Sequence, residues 1–144
     1  EMSSCYASIT CNIIQIVLEV FMSPNQANYE LGFGSRVKIW VYCPKDDVVE
    51  VRRAIGNAGG GQIGNYTHCC FVTEGTGYFL PQDGANPTIG VVGQPEAVEE
   101  SRIEFECHAD LVVDVVDAIK QAHPYEEVPI DILPILEVQL VKSD

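Results

Sequence analysis

The side chains best equipped for chemistry fall in two short runs. Ala122-His-Pro-Tyr-Glu-Glu-Val128 sets an imidazole, a phenol and two carboxylates side by side. His123 with Glu126 or Glu127 offers the nitrogen and oxygen donors that suit a divalent cation. A histidine at a helix C-terminus also has a plainer role, capping the helix and answering its dipole. The spacing matches no dedicated metal motif, so the capping reading leads, and Pro124 stiffens the turn in either case. The second run is Gly59-Gly-Gly-Gln-Ile-Gly-Asn-Tyr-Thr-His-Cys-Cys-Phe71, followed by Glu74-Gly-Thr-Gly-Tyr-Phe-Leu-Pro81. Glycines spaced this way permit positive φ and close backbone approach, useful around an anionic or planar ligand. Tight turns and a bulged hairpin account for them equally well.

The familiar signatures are missing. No GxxxxGK[ST] is present, and no GxGxxG opens a helix, so a nucleotide fingerprint is absent. There is no GxSxG and no HExxH, and three histidines in all leave little room for a dinuclear catalytic centre. His68, Cys69 and Cys70 adjoin on an expected strand, where alternation puts His68 and Cys70 on one face. A soft metal site from His68, one of these cysteines and His123 requires the fold to bring them together. The candidate ligand-binding residues are therefore Tyr66, Gly75, Gly77, His123 and Tyr125. The candidate metal ligands are His68, His123, Glu126 and Glu127, for a divalent ion. No catalytic residue is assigned.

Regular elements must position these groups. Val37 to Cys43 alternates and is rich in β-branched and aromatic residues, the pattern of a first strand. After Pro44, with Asp46 and Asp47 favourable at a helix start, Val48, Val51, Ile55 and Ala58 recur at helical steps, and Gly59-Gly60-Gly61 ends the helix. Tyr66 to Thr73 reads as a second strand. The Gly- and Pro-rich stretch to Gly93, with short extended pieces at Tyr78-Phe79-Leu80 and Thr88 to Val92, reads as a hairpin-like excursion. Val98 to Cys107 makes a third strand, with Ile103, Phe105 and Cys107 on one face. Asp110 is placed to cap a second helix striped by Leu111, Val112, Val115, Val116 and Ile119, which His123-Pro124 stops. A last strand runs from Val128 to Leu140, with Pro134 marking a bend or an edge. The order is β-α-β, an insertion, β-α-β: an α+β, ferredoxin-like (split βαβ) antiparallel sheet with both helices on one face.

Length and charge narrow the function classes. The 144 residues fit one domain with a real core. Twenty-one acidic against eight basic residues give a net charge of −13 with no Lys/Arg cluster, which sets nucleic acid and anionic membrane aside as partners. Six cysteines without a CxxC pair read as reduced thiols, and the expected location is cytoplasmic. The run Ile9 to Met22 is interrupted by Asn12, Gln15 and Glu19, too short and polar for a span, and no basic segment precedes it. Residues 22–28 read as a linker and Gly32-Phe33-Gly34-Ser35 as a second break. Residues 1–35 are accordingly taken as an N-terminal extension and 36–144 as the domain.

Five ordered segments carry a family resemblance: Gly61 to Phe71, Gly75 to Pro81, Gly84-Ala-Asn-Pro-Thr-Ile-Gly90, Glu96 with Val98, Glu99 and Arg102-Ile-Glu104, and Ala122 to Glu127. From Val37 to about Leu136 they resemble the Nif-three-like family, whose larger members are called GTP cyclohydrolase I type 2 homologues. The matching part is similar to the small domain inserted between the halves of those members, which also occurs as a free-standing protein. The resemblance implies a fold like that of CutA and PII signalling proteins, and a homotrimer or higher assembly, since the sheet has exposed edges. It implies no hydrolase, because the family's dinuclear metal ligands lie in the flanking halves. The expected function is an oligomeric binding or regulatory module for a small molecule or divalent metal ion. A metal-dependent hydrolase, with Glu127 as base, and a purely structural interaction domain stand as alternatives.

Overall fold

A computed structural model describes residues 29–140. The hydrophobic run at 9–22, the linker at 22–28, Cys5 and Cys11 lie outside the described residues. The chain divides into two units, one of Glu1–Gly34 with Leu136–Asp144 and one of Ser35–Ile135. The second unit contains the core and the candidate site.

Alternation builds the two central strands. In β1 (Tyr29–Pro44), Ile39, Val41 and Cys43 are fully buried, while Lys38, Trp40 and Tyr42 lie between them on the opposite face. In β3 (Glu96–His108), Ser101, Ile103, Phe105 and Cys107 are buried in the same rhythm. The strands pair antiparallel with Ile39 opposite Phe105 and Val41 opposite Ile103, so one face becomes a continuous apolar surface. β2 (Phe71–Phe79) pairs antiparallel with the free side of β3, and β4 (Ile130–Leu140) lies beside β1, giving the order β2-β3-β1-β4.

Two helices close over the apolar face. α1 (Val48–Asn57) buries Val51 and Ile55, and α2 (Val112–Ala122) buries Val115 and Ile119. These four and the inward strand residues form one core cluster, each buried Val or Ile contributing roughly 2 kcal/mol of hydrophobic stabilisation. A single 3₁₀ turn precedes each helix, at Lys45–Asp47 and Ala109–Leu111. α1 ends at Gly59, whose φ of 93° lets Gly59 N–H reach the Gly56 carbonyl and Gly60 N–H the Ile55 carbonyl. That crossed pair of bonds is a Schellman cap. The chain order β1-α1-β2-β3-α2-β4 with this sheet order is the ferredoxin-like, split βαβ arrangement.

Several local expectations need correction. The second strand begins at Phe71, not Tyr66, and runs through Gly75 and Gly77 to Phe79. Ahead of it, Gly61 N–H donates to the Glu106 carbonyl and the Gly61 carbonyl accepts from Cys69 N–H, and Gly61, Gly64 and His68 all take positive φ, which breaks strand geometry. Leu80 to Pro95 contains no strand, so the inserted hairpin is an irregular loop. Its positive-φ glycines Gly84, Gly90 and Gly93, with Pro81 and Pro87, leave no ladder to form. The break expected at Gly32–Ser35 is extended β1. There a Cβ on Gly34 would strike the Glu137 carboxylate, so glycine serves close packing. Asp110 makes no capping bond to α2; its carboxylate lies 3.0 Å from His108 Nδ1.

Candidate functional site

The sheet's helix-free face and two connections enclose a cleft of about 720 Å³. One connection is the β2–β3 loop, Leu80 to Pro95. The other is the turn Pro124 to Pro129 between α2 and β4. Register puts Tyr42, Glu100 and Gly77 on one face: Tyr42 stands opposite Arg102, and Gly75 opposite Glu100. A Cβ on Gly77 would run into the Glu100 carboxylate, so the glycine makes room for that carboxylate on the cleft floor.

His123 pins the turn from below. It is 7% exposed, and its Nε2 lies 2.8 Å from the Tyr42 carbonyl, while Tyr125 N–H donates to Nδ1 across 3.1 Å. The donated N–H places the lone pair on Nδ1 and the hydrogen on Nε2, so both ring nitrogens are engaged by the backbone. Its ring packs edge-on against Tyr125, with centroids 5.1 Å apart. Tyr125 then reaches across to donate its hydroxyl to Glu100 Oε1 at 2.9 Å. Burial, and next the Glu100 bond and charge, hold the Tyr125 phenol well above its ordinary range. Phe79, at the end of β2, stands 6.4 Å from the Tyr125 ring, tilted at 58°.

The β2–β3 loop is stitched to the same turn. Asn86 N–H donates to Glu126 Oε1 at 2.7 Å, and the Thr88 hydroxyl donates to the Pro124 carbonyl at 2.6 Å. The loop closes on itself where Gly93 N–H meets the Pro81 carbonyl at 2.8 Å. Two otherwise irregular segments thus hold one another in a fixed shape, which a binding wall needs.

The sequence candidates separate. Gly77, Tyr125, Glu126 and Glu127 line the cleft, and His123 supports it from beneath. Gly75 sits on β2 opposite Glu100, one alternation away. Tyr66 is 75% exposed in a small bridge with Ile63. His68 lies at the end of α1, its Nε2 3.3 Å from Asn57 Oδ1. Among the described residues no group of three or more His, Cys, Asp or Glu side chains stands close enough to hold a metal ion, so His68, His123, Glu126 and Glu127 are not gathered as a ligand set. Sequence reasoning missed Glu100, Tyr42 and Phe79. The doublet Glu99-Glu100 on a strand was the available signal, since alternation forces one of the two carboxylates onto the sheet face.

No protein-family model matches the chain. A GTP cyclohydrolase 1 type 2 homologue of Bacillus subtilis is 49% identical over 106 residues, 74% of this chain and 28% of that protein. A solved Bacillus cereus protein related to NIF3 superposes with a TM-score of 0.63 at 46% identity, covering 72% of this chain and 26% of its own. The chain thus spans just over a quarter of the length of these relatives. CutA1 from Shewanella, at 14% identity and a TM-score of 0.54 over 72% of this chain and 84% of that one, shares the fold. Over the domain these proteins share, the chain is a homologue of the Nif3-like proteins, the GTP cyclohydrolase 1 type 2 homologues.

Proposed function

We propose that the domain is a small-molecule binding module and that the cleft between the β2–β3 loop and the Pro124–Pro129 turn is its binding site. The observation that carries this is the mutual fastening of the two segments. Glu126 binds the loop backbone, and His123 and Tyr125 fix the turn to Tyr42 and Glu100. A preformed cleft of about 720 Å³ falls within the range of small-ligand sites. The divalent-metal reading draws on one neighbour in fold, the periplasmic divalent cation tolerance protein CutA of Archaeoglobus fulgidus, but finds no ligand group among the described residues. The GTP-directed chemistry in the relatives' names would need cationic groups for a triphosphate, and the described cleft lining has none.

Self-association, as a homotrimer, is part of the proposal. It is supported by the two sheet edges β2 and β4, and by Arg36 Nε, Trp40 Nε1 and Arg102 Nε, which are buried without partners in the single chain. Among the described residues no helix is long and apolar enough to cross a membrane. A cytoplasmic setting is supported by Cys43, Cys69, Cys70 and Cys107, all free thiols. Native mass spectrometry of the full chain, purified without added metal or chelator, tests the binding reading. An organic adduct retained by the wild type and lost in Ala85→Trp, which puts an indole at the cleft wall, supports it. An adduct that survives Ala85→Trp, or a metal ion as the sole retained mass, refutes it.

A further inference from the structure

The chemistry of the cleft walls narrows the ligand class. The described residues lining it include Glu100, Glu126 and Glu127, and no Lys, Arg or His. Glu100 and Glu126 each commit one oxygen, to Tyr125 and to Asn86 respectively, and keep the other. No described cationic side chain neutralises the three within the cleft. A phosphate or carboxylate entering here would meet like charge without the donors that anion sites supply. The whole chain, at −13, reinforces that field.

The remaining walls are aromatic and aliphatic. Tyr42, Phe79 and Tyr125 approach the floor around Glu100, and Leu80, Pro87 and Ile89 form the loop side. The negative faces of aromatic rings attract cations, most of all where a carboxylate stands beside them. A bare metal ion gains little from such walls, whereas an organic cation gains from both features at once. We propose that the ligand of this cleft is an organic ammonium ion with an apolar body, its charge held by Glu100 and Glu127 and its body laid on Phe79, Tyr125 and the loop side. The inference rests on the cleft being the binding site.

Three small probes of one shape and different charge separate the two claims: 2-phenylethylammonium, 2-phenylethanol and phenylacetate. Each is titrated into the full chain at neutral pH while backbone amide shifts are followed. The ammonium probe is expected to move the amides of Gly77, Phe79, Tyr125 and Val128 and to bind about tenfold tighter than the alcohol, with phenylacetate weakest. Raising the salt concentration weakens the ammonium probe alone. Glu100→Gln lowers ammonium affinity about tenfold and leaves the alcohol unchanged. Glu127→Gln, at an exposed position, moves affinity in the same direction. Equal or tighter binding of the alcohol or phenylacetate at these amides overturns the ammonium inference and leaves the cleft a binding site. No shift at these amides with any probe overturns both.

Discussion

Replacing His123 by alanine separates a structural pin from a ligand-binding side chain. The imidazole is buried and bridges two backbone groups, the Tyr42 carbonyl at 2.8 Å and the Tyr125 N–H at 3.1 Å. Its removal orphans both, and each buried unsatisfied group costs about 1–3 kcal/mol. With partial recovery by water entering the gap, the expected loss is about 3 kcal/mol, a large share of the roughly 5–15 kcal/mol that holds a domain together. With a urea m-value of about 1.5 kcal/mol/M, the unfolding midpoint falls by about 2 M with the slope unchanged. Glu127→Ala serves as the control, since an exposed substitution shifts stability by no more than about 0.5 kcal/mol. A His123→Ala loss below about 1 kcal/mol refutes the pin and returns His123 to the ligand-binding groups.

Three further outcomes follow from the packing. Gly61→Ala destabilises by about 2 kcal/mol in denaturant unfolding, because φ is +72° and the new Cβ would strike the Cys69 backbone; a neutral result removes the structural account of that glycine run. Ile103→Ala, at the centre of the core beside Val41 and Val72, lowers stability by about 3 kcal/mol, read as a shifted urea midpoint. Burial first, then the charges of Asp47 and Glu100, push the Cys43 thiol from 9.0 up to about 12. The unfolded thiol therefore ionises while the folded one keeps its proton. The share of stability that this thiol carries is intact below pH 9 and is lost as pH rises towards 12, by up to about 4 kcal/mol; Cys43→Ala removes that share, while the raised Tyr125 phenol and Cys107 thiol keep slopes of the same sign.

The architecture was legible wherever burial imposes a period. Ile39, Val41 and Cys43 alternate, Val51 with Ile55 and Val115 with Ile119 recur at a helical step, and these positions are the core. What the sequence concealed was decided by contacts between distant segments. Gly75 and Gly77 read as turn formers, yet both are strand residues, and Gly77 is kept small beside Glu100. The stretch from Tyr66 looked like a strand until the backbone bonds of Gly61 and the positive φ of His68 bent it away. The polar knot at His123–Glu127 stands out in the sequence, but what it binds to does not. Its partners Tyr42, Glu100 and Asn86 lie 81, 25 and 40 residues from the groups they bind, beyond any local pattern.

The most direct test of the central claim is a map of where small molecules bind. Backbone amide shifts of the full chain are recorded against a set of drug-like fragments spanning all charges, with Ala85→Trp measured in parallel. The fragments that bind are expected to perturb Gly77 to Thr88 and Tyr125 to Val128, and Ala85→Trp to weaken or abolish those shifts. Fragments that gather elsewhere, or shifts that persist unchanged in Ala85→Trp, would contradict it.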